Sequence, residues 1–221
     1  VSWEHLELFA GGGGSAYGMV QAGADHVVAV DTHIRADLPP TDKITWVKAS
    51  ALDVLCDVPT LRSFTTMGGS PPCQTETALV ELRKAQGKST DKVNLIPETL
   101  AGFEAAGRPY YIENVPRSSV RPDVVLCGRV FGLRVRRHRW FQLGHSPMIL
   151  SPGCACSAAT PIGVYGSKGD LIPAGGTTAA SLEEGRAAMG NEWMSWSALV
   201  ESIPWRYTQW IGQQWQAAGI C

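Results

Sequence analysis

Residues 4–31 read EHLELFAGGGGSAYGMVQAGADHVVAVD, and this stretch decides the fold class. Glu4 to Phe9 reads as a short strand, Ala10 to Gly14 as a tight turn, and Ser15 to Gly23 as a helix that ends at a glycine. Val27 to Val30 is an apolar, β-branched run closed by Asp31, the pattern of a buried strand. Strand, glycine turn, helix, strand and acid make the βαβ unit that holds a nucleotide-like cofactor. Glycines let the backbone turn sharply and approach a ligand, and the helix N-terminus behind them offers free N–H groups. Taken alone, a glycine run also suits a structural turn or an ordinary dinucleotide site.

The series continues outward from that unit. Thr45 to Lys48 reads as a third strand, Thr65 to Gly68 as a fourth running into Pro71-Pro72-Cys73, and Tyr110 to Glu113 as a fifth. A polar stretch, Thr75 to Lys92, and a helix from about Ile96 to Ala106 lie between the last two. Two more strands are expected as a hairpin near Val130 to Leu143. Residues 144 to 181 are rich in Gly, Pro, Ser, Ala and Thr and predict irregular structure rather than core. A C-terminal helix over Tyr207 to Ala218 carries Trp210, Ile211 and Trp215 at helical spacing. The expected class is α/β, a mostly parallel, doubly wound sheet flanked by helices. Residues 1–143 would form the core, 144–200 an irregular appendage, and 201–221 a segment completing the core.

The 221 residues are 44 % hydrophobic, enough for one sizeable core. No run approaches the ~20 apolar residues of a membrane span, and no basic-then-apolar signal opens the sequence. Six cysteines are too few and too scattered for a disulfide framework, so reduced thiols and a cytoplasmic setting are expected. Cys154-Ala155-Cys156, with Cys127 and His145 elsewhere, is not a usual zinc knuckle and no second pair follows, so no metal is expected. The net charge of −1 excludes a large non-specific nucleic-acid binder. It hides a local cluster, however, because Arg134, Arg136, Arg137, His138 and Arg139 fall within six residues.

Three further motifs carry chemistry. Ser70-Pro71-Pro72-Cys73-Gln74 puts a thiol behind a rigid segment at the C-terminal end of a strand, the edge where open α/β sheets bind ligands. Tyr111-Ile112-Glu113-Asn114-Val115 ends the next strand on an acid. Val135-Arg136-Arg137-His138-Arg139 supplies guanidiniums. Together with Glu7 to Gly14, these motifs resemble those of the DNA cytosine-5 methyltransferase family, and the likeness runs to about Leu143 and resumes near the C-terminus. The compact form is similar to bacteriophage-type members, with only residues 144–200 as a reduced target-recognition region.

The resemblance implies a Rossmann-like methyltransferase fold that binds S-adenosylmethionine. Phe9 would pack on the adenosine and Asp31 would bond the ribose hydroxyls, with Ala10, Gly11, Gly12 and Gly14 forming the turn and Pro72 nearby. Ser50 or Asp53 would reach the adenine amino group. Cys73 would add to C6 of cytosine, because C5 is a poor nucleophile until a thiolate converts the ring to an enamine. Glu113, protonated, would bond N3, while Arg137 and Arg139 would hold O2 and orient the carboxylate. Val135 stands where the family has glutamine. No side chain is an obvious base for the final C5 proton, which leaves water. The segment Thr75 to Lys92, with Arg83, Lys84, Lys88 and Lys92, resembles the loop that closes over DNA. The partner implied is duplex DNA, its cytosine flipped out, bound by a monomer in a bacterial or phage-infected cell.

The last family motif appears as Glu201-Ser202-Ile203-Pro204-Trp205, with Ser202 and Ile203 at the cofactor's methionine end. Glu201 replaces an asparagine, which keeps a modified S-adenosylmethionine donor as an alternative. Gly190-Asn191 reads as a decoy, since no Val-Pro follows. The same machinery would serve on a tRNA cytosine or a nucleotide, and a catalytically silent nucleic-acid binder is the alternative of another class.

Overall fold

The runs Val27–Val30 and Tyr110–Ile112 are apolar at consecutive rather than alternate positions, the pattern of a sheet covered on both faces. Seven strands form that sheet: β1 (Glu4–Leu8), β2 (His26–Asp31), β3 (Ile44–Lys48), β4 (Thr66–Gly69), β5 (Tyr110–Asn114), β6 (Val124–Leu126) and β7 (Arg139–Gly144). Their order is β3-β2-β1-β4-β5-β7-β6. The first five are parallel, and β7 runs antiparallel between β5 and β6. Every residue of β4 and β5 is buried, whereas the edge strand β3 buries only Ile44. The computed structural model describes residues 2–72, 94–156, 160–165, 169, 171–172 and 175–221.

Helices cover both faces. On one lie α1 (Gly14–Ala22) and the C-terminal α7 (Trp205–Ala217), sealing a core that includes Met19, Val27, Tyr111, Phe141, Ile211 and Trp215. The two helices approach closely because Gly18 has no side chain. A Cβ there would stand 2.2 Å from the Trp205 carbonyl oxygen. On the other face lie α2 (Ala51–Leu55), α3 (Val58–Ser63) and α4 (Ile96–Ala106), over Leu6, Leu8, Met67, Phe103 and Ile112. Two of these are short helices with side-chain caps: Ser50 Oγ accepts the Leu52 N–H at 3.2 Å, and Asp57 Oδ1 accepts the Thr60 N–H at 3.2 Å.

The interior also holds a polar knot beneath β1. His5, Glu7 and Thr66 are fully buried, with His5 Nδ1 2.8 Å from Thr66 Oγ1 and His5 Nε2 3.2 Å from Glu7 Oε2. The Tyr111 hydroxyl donates to Glu7, and Trp3 Nε1 donates to Thr66 Oγ1 at 2.7 Å. A buried acid survives because donors converge on it.

Two regions depart from the sequence reading. The hairpin expected at 130–143 forms, but its first strand is β6, at 124–126. The intervening Gly128–Phe131 winds into a 3-10 turn closed by Gly132, and Arg137 adopts a left-handed φ of 36° that interrupts extended chain until β7. Residues 144–181 are not purely irregular either. Strands β8 (Ile162–Gly163), β9 (Leu171–Ile172) and β10 (Gly176–Thr178) form a small sheet in the order β8-β10-β9. With α5 (Leu182–Met189) and α6 (Trp196–Glu201), it surrounds a third apolar cluster that includes Val135, Ile162, Val164, Met194 and Leu199. Those apolar residues are spread among glycines and prolines, so no periodicity revealed them. Among the described residues, no helix is long and apolar enough to cross a membrane.

Candidate active site

From β1 the chain winds outward through β2 to β3, then returns to β4 on the other side of β1. This reversal opens a crevice at the C-terminal ends of the strands, where α/β sheets bind ligands. On the β2 side, Phe9, Asp31, Ser50, Leu52 and Leu95 line an open cleft of about 350 Å³, counting solvent at its mouth. Backbone groups hold the Asp31 carboxylate: Oδ2 accepts the Gly11 N–H at 2.9 Å and Oδ1 the His33 N–H at 3.0 Å. Oδ1 also lies 3.5 Å from the Thr32 hydroxyl, which leaves Oδ2 with a lone pair for a ligand hydroxyl. Ser50 lines the cleft. Asp53 is exposed on the first turn of α2, outside the lining, where its charge complements the helix N-terminus.

The glycine turn serves packing more than the sequence suggests. Gly11, at φ 52°, is the one of the four with open space where a side chain would stand. A Cβ on Gly12 would press on Met194 and Ala198 at 3.1 and 3.2 Å, and one on Gly14 would meet the Ile203 carbonyl oxygen at 2.4 Å. Trp193 Nε1 donates to the Gly12 carbonyl at 3.0 Å, closing the turn from outside. Ala10 is buried, its N–H on the Val30 carbonyl at 3.1 Å.

Across the crevice, β4 delivers Ser70, Pro71 and Pro72. Asn114 Nδ2 donates to the Pro71 carbonyl at 2.8 Å, and the Leu95 N–H reaches the Pro72 carbonyl at 3.2 Å. The end of β5 and the chain leading into α4 thus pin the proline pair. Cys73 and the whole stretch Thr75 to Lys92 lie outside the described residues.

Glu113, next to Asn114 on β5, is 5 % exposed. Arg139 Nε lies 2.9 Å from its Oε1, as an ion pair whose N–H is not aligned on the oxygen. Burial pushes the Glu113 carboxyl above its ordinary value, against the opposing pull of Arg139, a hydrogen bond from Ser70, and Arg137. Burial wins, which favours the protonated acid.

Both arginines are buried. Arg137 donates through Nη2 to the Val200 carbonyl at 2.7 Å and through Nη1 to the Tyr165 hydroxyl, with its guanidinium 5.0 Å from the Tyr165 ring centre. Arg139 donates to the His138 carbonyl at 2.8 Å and to the same hydroxyl at 3.4 Å. Burial, then repulsion from Arg139, lowers Arg137 to about 10. Although Tyr165 is 45 % exposed, its hydroxyl sits between the two guanidiniums; desolvation there would raise the phenol, but the two arginines outweigh it and hold it below its ordinary value. Tyr165 carries no local signal in the sequence, since it sits in the Gly-rich region, yet it joins both arginines. The basic run is not one continuous surface: Arg134 pairs with Glu184 at 3.6 Å, and Arg136 donates to the Cys156 carbonyl at 3.2 Å. Val135, in place of glutamine, is buried in the third cluster.

The C-terminal segment packs on the glycine turn. Ile203 is buried against the glycine turn, Ser202 beside it is half-buried, and Glu201 is exposed and paired with Arg35. Asn191, set aside as a decoy in the sequence, is fully buried here and donates to the Ile203 carbonyl at 2.9 Å and to Ser202 Oγ at 3.3 Å. It is no part of the motif by order, but the fold makes it the support of that motif. The cysteines discounted as metal ligands are also gathered by the fold, with His138 rather than His145. His145 is paired with Glu104 at 3.0 Å.

No protein-family model matches the sequence, and no curated protein does. Solved structures do share the architecture. The Dnmt2 methyltransferase of S. pombe aligns with a TM-score of 0.59 over 98 % of this chain and 99 % of that one, at 15 % identity. The chain has a methyltransferase fold. The Entamoeba histolytica methyltransferase EhMeth gives 0.57 over 99 % of each chain at 12 % identity. A structure described as a DNA modification methyltransferase encoded within an E. coli prophage gives 0.43 at 17 % identity, over 65 % of this chain. The present chain spans 46 % of that protein's length.

Proposed function

We propose that the chain is an S-adenosylmethionine-dependent DNA cytosine-5 methyltransferase, with Cys73 as nucleophile. One observation carries the reading. A buried acid biased toward its protonated form, Glu113, is flanked by two buried guanidiniums and lies on the strand whose next residue pins Pro71, two positions before Cys73. This arrangement supports binding of a neutral, hydrogen-bonding ring edge with a carbonyl beside it, as cytosine presents at N3 and O2.

In this reading the Cys73 thiolate attacks C6, and Glu113 gives its proton toward N3 as electron density builds there, so that no full negative charge accumulates on the ring. Arg139 and Arg137 stabilise O2 and keep the carboxyl oriented. Water accepts the C5 proton, and the thiolate leaves by elimination. The cleft fits an adenosine: an aromatic ring at Phe9, a carboxylate fixed for ribose at Asp31, and a hydroxyl for the adenine amino group at Ser50. When bound there, S-adenosylmethionine supplies an electrophilic methyl group. Phe9, Asp31, Gly11 and Ser50 would hold its nucleoside end, and Ser202 and Ile203 its methionine end. A cytosine stacked in a duplex cannot reach Glu113, so the base is flipped out. The recognition region is reduced to residues 144–200, which supports a short or relaxed sequence preference.

The test is incubation with S-adenosylmethionine and duplex DNA carrying 5-fluorocytosine. Fluorine at C5 blocks the final elimination, and a covalent adduct mapped to Cys73 by mass spectrometry is the expected result. Absence of an adduct on duplex DNA, with one formed on folded 5-fluorocytosine RNA, would move the assignment to an RNA substrate. Absence on both, with binding intact, would refute it.

A further inference from the structure

Three segments distant in sequence meet at the corner of the sheet beside the arginines. Cys127 follows β6 at the start of the 3-10 turn, His138 precedes β7, and Cys154 and Cys156 lie in the loop after β7. Their ligand atoms all fall within 4.8 Å of one another. His138 Nε2 is 3.3 Å from Cys154 Sγ and 3.2 Å from Cys156 Sγ, and Cys156 Sγ is 3.3 Å from Cys127 Sγ and 2.8 Å from Cys154 Sγ.

These spacings exceed the ~2.03–2.05 Å of a disulfide, yet are closer than the ~3.5–4.0 Å at which even non-bonded carbons rest. Three sulfurs and an imidazole nitrogen converging on one point need a reason to stay there. Four ligands held tetrahedrally at ~2.3 Å for sulfur and ~2.0–2.1 Å for nitrogen stand about 3.5–3.8 Å apart. The distances above, 2.8 to 3.3 Å, lie just inside that figure, and the whole set stays within 4.8 Å.

We propose that Cys127, His138, Cys154 and Cys156 bind one thiophilic divalent cation, zinc by its chemistry, in a closed structural site. Three sulfurs and one imidazole in a tetrahedral arrangement select zinc over harder cations, which prefer oxygen. Binding releases the three thiol protons and leaves a complex with one net negative charge, and no electron is transferred. Arg136, whose guanidinium donates to the Cys156 carbonyl at 3.2 Å, is placed to balance that charge. Cys127 is 1 % exposed whereas Cys154 is at the surface, so the cation has an entry side. The cation ties the loop after β7 to the sheet, an anchor that residues 145–156 otherwise lack in the form of regular structure. It also fixes His138, whose neighbours on either side are Arg137 and Arg139 and whose carbonyl accepts from Arg139 at 2.8 Å. The consequence for the arginines rests on the function proposed above; the binding does not.

The full chain, expressed in zinc-supplemented medium and purified without chelators, should carry about one zinc per molecule by plasma mass spectrometry. After exchange, cobalt(II) should show thiolate charge-transfer bands and the intense visible bands of a tetrahedral site. Cys127→Ser and Cys156→Ser should each lower zinc retention in competition with a chromogenic chelator at least ten-fold. Cys56→Ser and Cys221→Ser, at free and exposed thiols, should leave it unchanged. Should the variants misfold, the cobalt spectrum of the wild-type chain still decides. Sub-stoichiometric zinc with no tetrahedral cobalt spectrum, retention indifferent to Cys127 and Cys156, or a Cys154–Cys156 disulfide in anaerobically purified protein would each overturn the proposal. The adduct at Cys73 is read separately, so the two assignments can fail independently.

Discussion

Replacing Gly14 by alanine should unfold the chain more readily than replacing Gly11, although both lie in one glycine run. The new Cβ at Gly14 would stand 2.4 Å from the Ile203 carbonyl oxygen, on backbone that cannot rotate away. Restoring van der Waals separation needs a movement of about 1 Å. That movement strains the bond from Asn191 Nδ2 to the same oxygen, now 2.9 Å. Overpacking costs about 1–3 kcal/mol and the weakened bond about 1 kcal/mol, offset by roughly 0.5–1 kcal/mol of better helix propensity at the start of α1. A net loss of about 1–3.5 kcal/mol follows, which in a chain of this size lowers Tm by about 2–14 °C. At Gly11 no atom lies within 4 Å of the added Cβ, and the penalty is the left-handed φ of 52°, about 1–2 kcal/mol. Gly11→Ala should therefore melt only a few degrees low, while weakening S-adenosylmethionine binding at the adjacent cleft. Thermal melts by circular dichroism, with calorimetric titration of the cofactor well below Tm, separate the two effects. If Gly14→Ala melts with the wild type and loses only cofactor affinity, the packing argument is wrong and that glycine serves the ligand.

Other outcomes follow from the crevice. Tyr165→Phe removes the hydroxyl shared by Arg137 and Arg139 but keeps the ring under the Arg137 guanidinium, so turnover should fall about ten-fold, with Tm nearly unchanged. Burial raises the Glu113 carboxyl, so the folded state holds that proton more tightly than the unfolded chain, and wild-type stability declines as pH climbs from the ordinary carboxylate value through the raised one. Glu113→Gln should flatten that decline in melts taken between about pH 4 and pH 8 while abolishing methyl transfer; a profile as steep as wild type would place the titration elsewhere. Asn114→Ala leaves the Pro71 carbonyl without its 2.8 Å donor, at a cost of about 1–3 kcal/mol, and should slow 5-fluorocytosine adduct formation more than it weakens DNA binding.

What the sequence by itself determined is the layered sheet and the ends of its strands. The run from Glu4 to Asp31, the β-branched segments and the helix at Ile96–Ala106 all carry a local pattern of apolar residues, and each stands within a residue or two of its expected place. Glu113, Arg137 and Arg139 stand out in the sequence through the resemblance of their motifs, and the antiparallel pairing of β5 with β7 sets Arg139 Nε 2.9 Å from Glu113 Oε1. What only the tertiary structure decided depends on contacts between segments far apart in the chain. Tyr165 and Asn191 lie in Gly- and Pro-rich sequence without periodicity, yet the small third core carries one onto the arginines and the other under Ile203. Gly12 and Gly14 are glycines because Met194, Ala198 and Ile203 press on them from beyond residue 190. Cys127, His138, Cys154 and Cys156 have no ligand spacing in the sequence because three different segments deliver them to one point. Local propensity writes the elements, whereas proximity between non-local side chains exists only once the chain has packed.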